Sequence, residues 1–262
     1  VMFYSNYDKV VDFNKAFGLA HNTEEQMDIL HNNKQLSKLR VDLCTEEIKE
    51  LNDAFETKDF IEVIDALTDE LYVLYGAASS FGFNMNDALR EYLNPKLYLN
   101  NTLSNYQLIK QICEEEDIVI PDSIYSDLFN NPTPLIINEW MVKINNSMNE
   151  LNEHHVGRNY YDLKNILIFL LIITYRIGIM LCIDLDRSFD IVHSSNMSKL
   201  CKTDKEAIDT VNWYKQNETR YDTPCYRRAD TGDYWVVYNK STGKILKSIH
   251  YTPANFTSMI SN

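Results

Sequence analysis

Glycine and proline are scarce, at 7 and 6 residues in a chain of 262. So little turn chemistry argues against a turn-rich all-β protein and against a glycine-loop nucleotide fold, and it favours helices. Cysteine is sparse too. Cys44, Cys113, Cys182, Cys201 and Cys225 are odd in number, far apart and without a CxxC spacing. That pattern predicts reduced thiols in the cytoplasm, not a disulfide frame or a zinc site. Positive charge is in deficit: 25 Lys and Arg against 38 Asp and Glu give a formal net charge of −13. Such a chain cannot neutralise a long phosphate backbone, so no nucleic-acid partner is expected. The opening residues, VMFYSNYDKVVDF, have no basic stretch leading into an apolar core, and no signal peptide is read there. The nearly continuous hydrophobic run from Ile166 to Ile183 contains Arg176 beside Thr174 and Tyr175. A charge in mid-span is costly in lipid, so the run is expected to be a buried core helix, and no membrane partner follows from it.

What remains is an ordinary globular balance, 45% hydrophobic and 24% charged, long enough to bury a substantial core. From Asp8 to about Leu97 the pattern is helical. Leu39, Leu43, Ile48 and Leu51 recur near the helical period within Leu36–Phe55. Asp59, followed three residues later by Glu62, resembles a capping box that opens a helix running through Leu67, Leu71 and Leu74 to about Ser80, with Gly82 ending it. Further helices are expected at Asn105–Glu115, Leu135–His154, Tyr161–Cys182 and Lys205–Gln216. Asp233–Tyr251 reads instead as two β-type runs around Ser241-Thr242-Gly243, a hairpin signal. The fold class expected is therefore an all-α helical bundle with a small C-terminal β-hairpin.

Charge is segregated along the chain. Val41–Glu70 holds eleven acids against two bases, whereas Asn196–Tyr251 holds ten bases against seven acids. Glu46, Glu47 and Glu50 share one expected helix, and Glu62, Asp65 and Asp69 the next. Residues three, four and seven apart share a helix face, and a short turn packs the two helices antiparallel. Six carboxylates meeting there repel one another unless hard divalent cations lie between them, and all-oxygen ligands suit Mg²⁺ or Mn²⁺. The same spacing also fits a solvated acidic face with Glu62 only a cap. Against that, Val63, Ile64, Leu67 and Leu71 interleave the second row and border it with core.

EEIKEL at Glu46–Leu51 followed by EVIDALTDELYVLYG at Glu62–Gly76 resembles the ExxE…ExxD signature of the all-α NTP pyrophosphatases, the MazG-like superfamily that includes dimeric dUTPases, dCTP pyrophosphatases and phosphoribosyl-ATP pyrophosphohydrolases. FNKAFGL at Phe13–Leu19, LRVDLCTEE at Leu39–Glu47, IVHSSNMSKL at Ile191–Leu200 and GKILKSIHYTP at Gly243–Pro253 look like further parts of the MazG/dUTPase-like branch. The resemblance implies Mg²⁺-dependent hydrolysis of a nucleoside triphosphate, dUTP or dCTP favoured, to the monophosphate and pyrophosphate. It implies Glu47, Glu50, Glu62 and Asp65 as metal ligands and Glu46 as the base that activates water, with Asp69 behind them or as an extra ligand. Phosphoribosyl-ATP hydrolysis and a catalytically silent nucleotide sensor or scaffold are the alternatives.

A shift of one hundred residues lays the first helical pair on a second without gaps: Leu67, Leu71 and Tyr75 fall on Leu167, Leu171 and Tyr175. A degenerate duplication is expected, with repeats at 1–100 and 101–200, a tail at 201–262, and all three in one compact unit. The second copy has Asn146, Ser147, Asp162, Asn165 and Phe169 opposite Glu46, Glu47, Glu62, Asp65 and Asp69, whereas SNMSKL follows only this copy, with a reduced NPKL at 94–97 after the first. One shared site is therefore expected. Asn196 and Lys199 would bind substrate, and Lys247 and Tyr251 on the hairpin would close over it, in a monomer or homodimer.

Overall fold

Ser5 begins the first helix: its side chain accepts a hydrogen bond from the Asp8 amide, and the Asp8 carboxylate accepts one from the Ser5 amide. The computed structural model describes residues 4–94, 102–122, 133–157 and 159–260. Among these lie eleven helices and three strands: α1 Asn6–Ala16, α2 Ile29–Asn32, α3 Lys34–Glu56, α4 Phe60–Phe81, α5 Met85–Leu93, α6 Asn105–Glu115, α7 Leu135–Gly157, α8 Tyr160–Met180, α9 Leu185–Met197, α10 Asp204–Asn217, β1 Pro224–Arg228, β2 Trp235–Asn239, β3 Ile245–Leu246 and α11 Thr257–Ile260.

The acid-bearing pair owes its geometry to its ends. Asp59 caps α4 by accepting the Glu62 amide at 3.2 Å, satisfying a donor that the helix cannot. Gly82 ends α4 in the left-handed region at φ 84°, where a side chain is disfavoured; a Cβ there would also sit 2.0 Å from the Glu24 carbonyl. Between these ends α4 is buried almost throughout, because it packs on α1, α3, α8 and α9 at once. α8 is long and apolar enough to cross a membrane by composition, and it too is mostly buried within the bundle. Its Arg176 sits on the flank and donates two hydrogen bonds to Glu116, at 2.9 and 3.1 Å.

The element order repeats. α1, α3, α4 and α5 are followed by α6, α7, α8 and α9, and the pairs α3/α4 and α7/α8 pack alike. Polar contacts repeat with them. The buried Tyr75 and Tyr175 hydroxyls meet at 2.6 Å across a sequence separation of 100. Asn52 donates to Asn145 and, in mirror fashion, Asn152 donates to Thr45. Asn86 donates to the cap Ser5 as the cap Ser104 donates to Asp186. α9 then lies on α4 and α5 on α8, so each half lends a helix to the other's pair. One large apolar cluster runs through both halves.

The tail is a three-stranded antiparallel sheet ordered β1-β2-β3, packed on α10. The expected hairpin is β2–β3, with Gly243 at φ 72° in its turn. The strand β1, PCYRR, is an addition: its proline and two arginines hide a strand pattern whose pairing comes from β2. Tyr214, Val237 and Leu246 seal the sheet onto α10, while Phe17, Leu200 and Val236 join it to the end of α1. None of the five cysteines forms a disulfide. Past Asn94, the NPKL segment lies outside the described residues.

Candidate functional site

The α3/α4 pair brings the two acidic rows face to face. Glu47, Glu50 and Asp69 each offer a carboxylate oxygen, all within 4.8 Å of one another. Burial raises Glu47 to about 9, helped by the charges of Asp69 and Glu50. Burial likewise raises Asp69 to about 8, with Asp65 and Glu50 adding to it. Asp65 rises to about 6 through burial and the neighbouring Glu62 and Glu50. Three carboxylates this close, two of them half-buried, are not readily all ionised without a positive partner. One oxygen, Glu47 Oε2, is buried with no hydrogen-bond partner. This donor set fits a hard divalent cation, which would replace the protons that repulsion otherwise holds there.

The residues expected from the sequence separate into two groups around this centre. Asp69 stands inside it, whereas Glu62 is exposed in the first turn of α4 and acts on the centre by its charge, on Asp65 and more weakly on Asp69. Glu46 is exposed at the rim, close enough for its charge to act on Glu47.

Glu47 and Asp69 also line a cavity of about 340 Å³ whose other walls include Asn196 and Lys199 of the α9 end. α9 reaches it because it packs on α4 and α1. Lys199 is half-buried; burial and Lys247 lower its ammonium pKa, while Asp69 opposes that shift. Tyr72 stands in the same wall, its hydroxyl 2.9 Å from His193 Nδ1 and hydrogen-bonded to Asn196. Lys247 and Tyr251 are adjacent but outside the cavity wall. The Lys247 ammonium lies over the Tyr251 ring at 4.6 Å, and Ser195 Oγ donates to the Tyr251 hydroxyl at 3.3 Å. Their link to the centre runs through Lys199.

Three further residues come from the fold alone. Arg40 lines the cavity, is buried, and donates through Nε to Ser80 Oγ at 2.9 Å. Gly76 leaves room for it, since a Cβ there would lie 2.8 Å from the guanidinium. Asn14 lines the same wall with its Nδ2 buried and without a partner. Glu70 lies fully buried behind Glu47 with both carboxylate oxygens unpartnered, and burial raises its pKa far above the carboxylate range. Arg40 and Asn14 fall inside LRVDLCTEE and FNKAFGL, but spacing alone does not say that they face a cavity.

The bundle thus gathers carboxylates from two packed helices and one lysine from just beyond the end of a third, an all-α protein whose acidic group is consistent with a divalent-metal site. Residues 10–94, which contain every one of these acids, match the family model "Phosphoribosyl-ATP pyrophosphohydrolase". Through these residues the chain carries a domain of this family, itself a member of the all-α NTP pyrophosphatase superfamily. It is also similar along its whole length to "Uncharacterized protein L479" of Acanthamoeba polyphaga mimivirus, at 33% identity over 98% of this chain and 96% of the relative. No solved structure matches it.

Proposed function

We propose that the protein is a Mg²⁺-dependent nucleoside triphosphate pyrophosphohydrolase, cleaving a (deoxy)nucleoside triphosphate, dUTP or dCTP favoured, to the monophosphate and pyrophosphate. The observation that carries the reading is the single cavity lined by Glu47 and Asp69 on one side and Asn196 and Lys199 on the other. A triphosphate needs both kinds of wall: carboxylates to hold cations and direct donors for the charge that the cations leave. Glu47, Glu50 and Asp69 would hold the metal, with Asp65 beside them and Glu62 at the edge. Bound there, Mg²⁺ or Mn²⁺ would supply charge neutralisation on the phosphates and a lowered pKa for water.

The remaining work falls to the chain's own groups. Lys199 and Arg40 offset phosphate charge, and Asn196 and Asn14 donate hydrogen bonds to phosphate, sugar or base. Glu46, exposed at the rim, takes the proton of the attacking water as its oxygen bonds to the α-phosphorus. The bond from that phosphorus to the bridging oxygen breaks, and pyrophosphate leaves with the electron pair. Phosphoryl chemistry of this kind asks for position and electrostatics more than covalent help. The reaction fits a soluble cytoplasmic enzyme, monomer or homodimer.

Phosphoribosyl-ATP is the second substrate reading, favoured by the description of the family that residues 10–94 match. A screen of all nucleoside triphosphates and phosphoribosyl-ATP with Mg²⁺, reading monophosphate and pyrophosphate, tests both. Pyrophosphate release from at least one substrate, lost on Glu47→Gln, is the expected result. No turnover of any of them would favour the catalytically silent sensor instead.

A further inference from the structure

The α7/α8 pair carries a groove of its own, about 570 Å³ in volume, where α3/α4 carries the acids. Its walls include Asn146, Ser147, Glu150, Asp162, Asn165 and Phe169. Each stands one hundred residues beyond Glu46, Glu47, Glu50, Glu62, Asp65 and Asp69 in turn. Tyr92 of α5 enters this groove as α9 enters the first one. The place has persisted while its chemistry has changed. Two carboxylates remain, and one of them, Asp162, faces His154 with Nδ1 at 3.6 Å. Lys143 has joined the wall and makes no ion pair among the described residues. With four acids replaced by two amides, a hydroxyl and an aromatic ring, the groove has lost the charge density that would hold a cation. It has gained neutral and positive donors that accept a phosphate directly. Phe169 and Tyr92 supply flat apolar faces of the kind on which a base stacks. The volume is in the range of small-molecule sites.

We propose that this groove is a second nucleotide site, binding a nucleoside monophosphate without a metal ion. Its phosphate would be held by Lys143 with Asn146 and Asn165, and its base would lie against Phe169 and Tyr92. The choice of a nucleotide rests on the reading of the first groove; the donor set does not. A monophosphate is also the product of the proposed reaction, so the site is placed to sense it.

The test is calorimetric titration of the full chain with dUMP and with AMP in excess EDTA. Wild type is expected to bind one equivalent of at least one of them, and Glu47→Gln and Asp69→Asn to bind it equally well. Lys143→Glu and Asn165→Asp, both near the surface, should each weaken binding at least about tenfold, or about 1.4 kcal/mol, and leave Mg²⁺-dependent turnover unchanged. No saturable binding in EDTA would overturn the proposal. So would binding lost in Asp69→Asn but kept in Lys143→Glu, or inorganic phosphate binding as tightly as the nucleotide. Missing turnover with binding intact would remove only the hydrolase reading; missing binding with turnover intact would remove only this one.

Discussion

Glu70 is a fully buried carboxyl group with no partner for either oxygen, and burial, with a further contribution from the charge of Glu47, raises its pKa well above the carboxylate range. A folded-state pKa above the unfolded value contributes stability below the unfolded value, and that contribution drains away as pH rises toward the folded one. Glu70→Gln removes that drain. The variant should therefore gain on wild type with rising pH by up to about 1.4 kcal/mol per pH unit above the ordinary carboxylate range. Urea unfolding at acidic and at mildly alkaline pH checks it; equal loss at both would mean that the carboxylate itself is needed. Lys199 carries the other residue-scale prediction. Lys199→Ala should reduce kcat/KM at least about tenfold, some 1.4 kcal/mol of transition-state stabilisation, while Mn²⁺ affinity measured without nucleotide stays within a few fold. Wild-type kinetics would detach Lys199 from the site. The carboxylates were legible in the sequence because charge spacing on a helix is a sequence property. Arg40, Asn14 and Glu70 were not, because nothing in a spacing says which polar residue is buried against a cavity.

Helices α3, α4, α6, α7, α8 and α10 were legible within a few residues, since each carries a long apolar period or a cap. α5 and α9 were harder. Their sequences, MNDALREYL and LDRSFDIVHSSNM, are short and polar on one side, and their value lies in crossing to the opposite helical pair. That crossing is why Lys199 meets Asp69 at a distance in sequence no local pattern encodes. The duplication expected from a shift of one hundred residues is a proposal about origin; what the fold contains is a repeated element order and hydrogen bonds at matching positions. At this scale the end of α4 is a sensitive point. Gly82→Ala places a side chain in left-handed backbone and against the Glu24 carbonyl, so a loss on the order of 1–2 kcal/mol or more is expected. A melting temperature unchanged from wild type would contradict the assigned turn.

The whole molecule is most strained electrostatically where it is most acidic. Glu47, Asp69 and Asp65 all have folded pKa values raised above their ordinary values of 4.5, 3.8 and 3.8. Without metal, their contribution to stability is complete below the ordinary carboxylate range and is lost as pH climbs toward about 9, 8 and 6. Metal-free protein should thus melt lower at pH 8 than at pH 5, and the rise in Tm on adding Mn²⁺ should grow over the same interval, because the ion competes with fewer protons. An Mn²⁺ effect independent of pH would argue against the carboxylates as ligands. Glu47→Gln should raise the metal-free Tm at pH 8 and abolish the Mn²⁺ increment. The central claim is that this cation site and the Lys199 wall act together on the α-phosphorus of a nucleotide. Hydrolysis of the best substrate in heavy-oxygen water, read by mass spectrometry of the products, tests it most directly: the account predicts the label in the nucleoside monophosphate and none in the pyrophosphate, and label in the pyrophosphate, or release of orthophosphate as the first product, would contradict it.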